Sequence, residues 1–382
     1  MLRKLHRWIG LALALPLIIQ GVTGSLMILM SSALSERPHQ TPTTQPVSAE
    51  TIVASARPLA PAGTIPLRYE PARWNGDSAV VTFGPAGERH PVFRVMVDPG
   101  TGRTSGVHVT PAVIRFMHNL HADLLLLPYG QTATGIMGLL LVGMAITGVI
   151  LWWPHPTLWA TGKWRRTVVP SPRAKGYRWW RETHISIGFW TSLVLTFLAA
   201  SGMVLAFPFS RPLFGVQPHA DNRGGGEHHH AHGPENAAPL PGESGLDHAL
   251  SLLGQRYPAG HVIAVQLGDN PRQQRFQVVL PAYGVNRPAQ IRVDARADTV
   301  ALAQDPGTQK TGAAVFQWLH MLHEARLSGP AGLAELWRAI VCLTGLALTF
   351  FSVSGAIMWA KRRGNRPRRQ VDVAVSTAAT PE

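Results

Sequence analysis

The chain has 382 residues, a formal net charge of +14 and a mean hydropathy of +0.06, and 46% of its residues are hydrophobic. Its single cysteine, Cys342, excludes a disulfide framework and an iron–sulfur cluster held by several thiolates. The sequence has no Cys-x-x-Cys-His motif for covalent c-type haem and no glycine-rich phosphate loop, so nucleotide and flavin chemistry are also unsupported.

Four apolar runs dominate the sequence, at residues 8–30, 132–153, 185–207 and 336–360. Each is about 20 residues or longer, which lets an α-helix cross a hydrocarbon core of about 30 Å. The first run is longer than the apolar core of a signal peptide and lacks a small-x-small cleavage site. We therefore predict that all four are transmembrane helices and that the chain is embedded in a lipid bilayer.

Basic residues cluster in three segments, 3–7, 163–181 and 361–369, which together carry 16 lysines and arginines. All three segments lie on one side of the membrane if the four helices cross in succession, as the positive-inside rule requires. We predict cytoplasmic termini and two long segments, roughly 31–131 and 208–335, on the opposite side. The positive charge then reports topology, and we expect no nucleic-acid partner.

The two halves of the chain repeat one another. Arg3-Lys-Leu-His6-Arg-Trp-Ile-Gly10 aligns with Arg181-Glu-Thr-His184-Ile-Ser-Ile-Gly188. The second and fourth apolar runs end alike, in Ile146-Thr-Gly148-Val-Ile-Leu-Trp152 and Val353-Ser-Gly355-Ala-Ile-Met-Trp359. Two parallel repeats predict a pseudo-twofold axis along the membrane normal, with small residues allowing close helix packing or leaving room for a flat cofactor.

The two long segments between the apolar runs also correspond. Alternating apolar residues predict strands at 79–83 and 92–98 in the first, and at 262–267, 276–280 and 290–294 in the second. An amphipathic helix is predicted at 246–256, and we interpret each segment as a small α+β module. The Pro- and Thr-rich stretch 38–46 and the Gly- and His-rich stretch 224–236 are predicted to be flexible connections.

Six histidines stand at equivalent places in the two halves. His6 and His184 each open an apolar run, whereas His118 with His121 and His320 with His323 form His-x-x-His pairs shortly before the second and fourth runs. Residues i and i+3 share a helix face, and histidine is the usual ligand of b-type haem.

The ordinary interpretation of these histidines is a set of interfacial polar residues and wet amphipathic helices. Their duplication at equivalent sequence positions favours a functional role, because histidine is energetically costly at membrane depth. We predict that His6 and His184 ligate one haem iron. One member of each His-x-x-His pair ligates a second, with His121 and His323 favoured, while His118 and His320 bind a propionate or substrate.

Other candidate groups are weaker. Five arginines flank the proposed sites and either neutralise propionates or serve as interfacial anchors, namely Arg7, Arg115, Arg181, Arg326 and Arg338. The tract from His228 to His232 is interpreted as an opportunistic metal binder in a loop without fixed geometry. No Ser–His–Asp or paired-carboxylate arrangement is evident, so we predict no catalytic acid–base residue.

These motifs resemble the PepSY-associated transmembrane proteins of bacterial inner membranes. The resemblance is carried by Leu5-His6-Arg7-Trp8-Ile9-Gly10, the two His-x-x-His helices and the Thr-Gly148…Trp152 ending, and it covers nearly the whole chain. Within the family, the chain looks most similar to periplasmic siderophore reductases that act on ferrioxamine. The resemblance implies two b-type haems and reduction of ferric iron in a hydroxamate siderophore, so that iron leaves in the ferrous state.

The predicted fold class is membrane α+β, with four transmembrane helices in two parallel repeats, each with a periplasmic PepSY-like α+β module. The predicted boundaries are helix 1 at 1–30, module 1 at 31–110, a His-x-x-His helix at 111–131, helix 2 at 132–153, a basic loop at 154–183, helix 3 at 184–207, a linker and module 2 at 208–310, a second His-x-x-His helix at 311–335, helix 4 at 336–360 and a tail at 361–382.

The predicted function is a haem-dependent ferric-siderophore reductase whose electron donor is a quinol or a cytoplasmic reductase. A transporter for iron or its chelate is one alternative, but it predicts a polar path through the bilayer, and the four runs carry almost no charge. A haem-free periplasmic binding or regulatory module is the other, and it leaves the duplicated histidines unexplained.

Overall fold

The computed structural model describes residues 1–34, 37–85, 93–109, 112–216, 245–267, 273–327 and 331–364. Its helices are α1 (Leu2–Ala12), α2 (Ala14–Leu34), α3 (Ala49–Ala56), α4 (Ala112–Asp123), α5 (Gly130–Trp152), α6 (Pro156–Ala160), α7 (Gly176–Ala206), α8 (Ser210–Leu213), α9 (Leu246–Arg256), α10 (Thr311–His323) and α11 (Ala331–Gly364). Its strands are β1 (Thr64–Glu70), β2 (Ala79–Pro85), β3 (Phe93–Val97), β4 (Thr104–Val109), β5 (His261–Gln266), β6 (Gln273–Val279), β7 (Ala289–Asp294) and β8 (Thr299–Gln304).

Three helices, α5, α7 and α11, are long and apolar enough to cross a membrane. A fourth crossing results if α1 and α2 are counted as one span, although their axes differ by 63°. The first apolar run, predicted as one transmembrane helix over 8–30, is thus divided into two helices that can still form one span. Pro16 explains the break, because its ring would clash with the carbonyl group of Ala12 in a continuous helix and it has no N–H to donate.

Helix α7 begins earlier than its apolar run. The run was predicted to open at His184, but the helix starts at Gly176, so His184 lies well inside it. The intervening residues are polar and basic, and they extend the helix beyond its apolar part. His184 therefore has helical residues on both sides, which restrain its position more than a location at a helix end would.

The described strands form one antiparallel sheet of eight strands in the order β4-β3-β2-β1-β5-β6-β7-β8. The first four strands come from the first half of the chain and the last four from the second. They join where Tyr69 of β1 lies opposite Val265 of β5, and the Leu267 N–H donates to the Leu67 carbonyl at 2.9 Å. The two modules, predicted as separate units, therefore share one continuous sheet.

Helices α3 and α9 pack side by side on one face of the sheet. Asp247, in the first turn of α9, accepts hydrogen bonds from the Ala49 N–H at 2.7 Å and the Glu50 N–H at 3.4 Å, so it caps the neighbouring helix. The side chains buried between these helices and the sheet include Ile52, Leu246, Phe83, Phe276 and Ile291. This core draws on both halves of the chain and fixes them to one another.

The stretch 38–46 is not the flexible connection that its composition predicted. Arg37, just before it, is buried and pairs with Asp77 at 3.3 Å and with Glu70. Gln40 donates its N–H to the Gly76 carbonyl at 2.8 Å and its side-chain amide to Ser78 Oγ at 2.9 Å. These bonds attach the stretch to the sheet, whereas the other predicted connection, 224–236, lies outside the described residues.

Small residues bring the long helices into close contact. A Cβ atom on Gly21 of α2 would overlap the Gly345 carbonyl oxygen of α11, and Ser25 Oγ donates to the Cys342 carbonyl at 2.9 Å between the same helices. A Cβ atom on Gly138 of α5 would lie 3.1 Å from the Ala199 carbonyl oxygen of α7. Close packing of α2 with α11 and of α5 with α7 positions the histidines described next.

Candidate functional site

Helices α4 and α10 follow the outermost strands of the sheet and carry the two His-x-x-His motifs. The rings of His121 and His323 face each other, with centres 6.5 Å apart and planes inclined by 52°. Because a metal–imidazole nitrogen bond is about 2 Å long, two imidazoles on opposite sides of one ion have ring centres about 6 Å apart. The spacing of this sheet-side pair, His121 and His323, thus suits two ligands of one metal ion.

The other members of the motifs point elsewhere. His118 is exposed. His320 lies with its Nε2 atom 2.9 Å from a carboxylate oxygen of Glu324, which also pairs with Arg326. Burial, followed by the charges of Arg326 and Arg211, lowers the pKa of His320. The structure therefore brings together His121 and His323 and leaves His118 and His320 at the periphery.

The far-side pair consists of His6 on α1 and His184 on α7. His6 Nδ1 lies 2.9 Å from Thr147 Oγ1 of α5, and His184 Nδ1 lies 2.7 Å from Ser354 Oγ of α11. Each ring is thus anchored to the helix that ends its own half of the chain. The two contacts are equivalent in the repeat alignment.

The sheet-side pair is anchored in the same way. His121 Nδ1 lies 3.0 Å from Thr23 Oγ1 of α2, and His323 Nδ1 lies 2.9 Å from Ser201 Oγ of α7. In the described part of the chain, the Nε2 atoms of these two residues, and those of His6 and His184, accept and donate no hydrogen bond. All four rings therefore present the same free nitrogen.

Burial keeps the sheet-side pair neutral. It lowers the pKa of His121 and of His323 to about 4 each, and the neighbouring histidines lower both values further. A neutral imidazole keeps a lone pair on one ring nitrogen, which is the form that binds metals. At neutral pH both rings are consequently in the neutral form that can bind a metal ion.

A glycine follows each of the four anchoring hydroxyls, and Gly24 and Gly202 leave space for a ring, whereas a Cβ atom on Gly355 would meet nothing within 4 Å. A Cβ atom would lie 3.0 Å from His121 Cε1 if placed on Gly24, and 2.9 Å from His323 Cε1 if placed on Gly202. On Gly148 it would lie 3.5 Å from His6 Cε1, which is an ordinary contact. The need for glycine is therefore strictest at the sheet-side pair.

Gly202→Ala is expected to be less stable than Gly143→Ala. Both substitutions add a methyl group to a spanning helix and gain helix propensity equally, but a Cβ on Gly143 meets nothing within 4 Å. The difference in stability between the two variants therefore measures the clash with His323. Overpacking of this kind costs about 1–3 kcal/mol. Thermal unfolding of the two variants in detergent measures it, and equal midpoints would show that the ring moves freely.

Two buried polar atoms beside the far-side pair have no hydrogen-bond partner among the described residues. They are Nε of Arg7, the residue after His6, and Oγ1 of Thr183, the residue before His184. Both can donate a hydrogen bond, and the guanidinium adds positive charge, so an anionic group suits this place. Of the other flanking arginines, Arg326 and Arg338 are in ion pairs with carboxylates.

The donor chemistry fits haem. Each pair supplies two imidazoles, whereas a protein zinc site uses three or four side-chain ligands. Among the described residues, no group of three or more His, Cys, Asp or Glu side chains is placed to hold a metal ion. A porphyrin supplies four nitrogens and leaves two axial positions, and carboxylate propionates would match the free Arg7 and Thr183 donors.

Sequence reasoning found the histidines but missed the hydroxyls that anchor them. The signal was present, because Thr-Gly or Ser-Gly recurs in all four apolar runs, at Thr23, Thr147, Ser201 and Ser354. Such pairs of small residues are also typical of helix packing, which hid the second role. The proposed metal-binding tract at 228–232 lies outside the described residues.

The sequence model of the PepSY-associated TM region matches residues 3–362, which is nearly the whole chain. No curated protein sequence matches this chain significantly. The matched region contains both histidine pairs, all four anchoring hydroxyls and the eight-stranded sheet.

Proposed function

We propose that this chain, which belongs to the PepSY-associated transmembrane family, is an inner-membrane di-haem reductase. It would carry electrons from the cytoplasmic side to ferric iron held in a periplasmic hydroxamate siderophore of the ferrioxamine type, and release ferrous iron. The observation that carries the proposal is the opposed pair of His121 and His323, with ring centres 6.5 Å apart and no hydrogen bond to either Nε2 atom from the described residues. His6 and His184, whose Nδ1 atoms contact hydroxyls at equivalent places in the repeat, support a second haem.

The two pairs lie at opposite ends of one helix. His184 and Ser201, which anchors His323, are 17 residues apart on the continuous helix α7, which corresponds to about 25 Å along its axis. This length is close to the thickness of a bilayer core, about 30 Å. Sites at these two levels would carry charge across a layer that otherwise insulates.

Each haem would supply a one-electron ferric–ferrous couple, and the residues of this chain hold and tune it. His6 and His184 would be the axial ligands on the cytoplasmic side, and His121 and His323 those beneath the sheet. Arg7 and Thr183 would bind propionates of the first haem. No acid–base residue is needed, because one electron converts ferric to ferrous iron, which matches hard hydroxamate oxygens less well.

The topology supports an acceptor site beside the sheet. Helices α4 and α10 descend from β4 and β8 to His121 and His323, so the sheet stands over that pair. In the periplasm, this side is accessible to an incoming siderophore. A transporter would instead need a polar path, and the membrane parts of the spanning helices α5, α7 and α11 carry almost no charged residues.

The test is a visible spectrum of the purified protein in mild detergent, oxidised and then reduced with dithionite, with a pyridine haemochrome count. Two b-type haems per chain are expected. Anaerobic mixing of the reduced protein with ferrioxamine should then reoxidise the haem and form ferrous iron, trapped by ferrozine. A colourless protein after haem-supplemented expression would refute the proposal, and a haem protein that ferric chelates leave reduced would refute the reductase part of it.

A further inference from the structure

Each of the four anchoring hydroxyls donates its own proton to a backbone carbonyl one turn earlier in its helix. The pairs are Thr23 with Ile19 at 2.6 Å, Thr147 with Met144 at 3.1 Å, Ser201 with Leu198 at 3.1 Å and Ser354 with Phe351 at 3.2 Å. A hydroxyl has one proton and two lone pairs, and a carbonyl can only accept. The proton of each hydroxyl is thus already used.

The direction of the histidine hydrogen bonds follows. With the hydroxyl proton on the carbonyl group, an oxygen lone pair is left for the contact to the ring, and the ring nitrogen Nδ1 donates. Each neutral imidazole then has its proton on Nδ1 and its lone pair on Nε2.

We propose that Thr23, Thr147, Ser201 and Ser354 are positioning residues that fix the Nδ1-protonated form of the four histidines and set the basicity of Nε2 toward iron. The inference rests on the proposed function, because it assigns the hydroxyls a role through the haem ligands. A hydrogen bond that Nδ1–H donates makes Nε2 a stronger ligand. A stronger ligand favours ferric iron, so each hydroxyl lowers the midpoint potential of its own haem.

At the sheet-side pair the following glycine completes the unit. At Gly24 and Gly202 a side chain would meet the ring at 3.0 and 2.9 Å, so the hydroxyl holds one edge of the imidazole while the glycine admits the other. Serine and threonine bonded to their own helix are common in membranes and need no further partner. What distinguishes these four is the second contact to a histidine on another element.

The experiment compares Ser354→Ala with Ser352→Ala by spectroelectrochemical titration and haem competition. Ser352 lies in the same helix, is buried and donates to the Leu348 carbonyl at 3.1 Å, but its hydroxyl contacts no histidine in the described chain. Ser354→Ala should raise the potential of one haem and weaken its affinity about 10- to 100-fold. Ser354→Thr should restore both values, and Ser352→Ala should change neither.

A carboxylate at the same position should shift the midpoint potential of the haem in the opposite direction. Ser354→Asp would accept the Nδ1–H bond more strongly and should move the same potential in the negative direction. Opposite shifts for the two substitutions are the result that the positioning role predicts. If Ser354 variants fail to fold, Thr147→Val against Thr147→Ser provides the same comparison for the His6 side of that haem.

The outcomes separate the two proposals. A wild-type protein without haem refutes the proposed function. Two haems in the wild-type protein, with unchanged potentials and affinities in Ser354→Ala and Thr147→Val, refute the positioning role alone. Changes confined to one haem for Ser354 and Thr147, and to the other for Ser201→Ala and Thr23→Val, support it.

Discussion

Replacement of His323 by alanine should reduce the haem content from two to about one per chain. The substitution removes one of the two opposed imidazoles and leaves a cavity beneath the sheet. Loss of one of two histidine ligands weakens the binding of a haem, and the ring centre of the remaining ligand, His121, lies 6.5 Å from that of the removed ring. Haemochrome analysis and the low-temperature α-band of the purified variant measure the loss.

His320→Ala is the matched control for this variant. It removes a histidine from the same helix, one turn away, whose ring pairs with Glu324 rather than with His121. We expect it to keep both haems, with at most a shift of potential from the altered charge near the site. Loss of haem in His320→Ala with full retention in His323→Ala would show that His320, and not His323, is the haem ligand.

Replacement of His184 by alanine should remove the other haem and disconnect the remaining one from its donor. The sheet-side haem should stay bound, because His121, His323 and their anchors Thr23 and Ser201 are untouched. In inverted membrane vesicles, electrons supplied at the cytoplasmic face should then fail to reduce it, a loss of at least about 100-fold in rate. Dithionite should still reduce it directly.

The natural control for His184→Ala is His155→Ala. His155 caps the short helix α6 through its ring, in contact with Thr157, and takes no part in either pair. It should leave the haem content and the electron transfer unchanged. Rapid reduction of the sheet-side haem in the His184 variant would mean that electrons enter by a route that bypasses the far-side pair.

The parts of the fold that were predictable have strong local signals. Apolar runs as long as 132–153 can be recognised without any tertiary information. Strands β2, β3, β5, β6 and β7 each overlap a predicted strand, and β7 alternates clearly between buried and more exposed residues. Strand β1 was missed because Pro66 interrupts it, and β4 and β8 because edge strands are mostly exposed and carry little alternation.

The joint between β1 and β5 could not be predicted from the sequence. It pairs residues almost 200 positions apart, and no local periodicity encodes which strand edges meet. The bend after Ala12 was predictable in principle from Pro16, but the continuous apolar run masked it. In the candidate site, the sequence identified the histidines and favoured His121 over His118, whereas the way in which His121 and His323 face each other is supplied only by the fold.

Because both halves of the chain contribute to each histidine pair, neither half can form a complete pair alone. Each half of the chain contributes one imidazole to each pair, His6 and His121 from the first and His184 and His323 from the second. Each half also contributes the hydroxyls that anchor its own rings. A half-length polypeptide therefore holds only half of every binding site, and it would have to meet a second copy before it could hold any cofactor. Fusion of two halves into one chain removes that dependence on concentration and keeps both sites complete in every molecule.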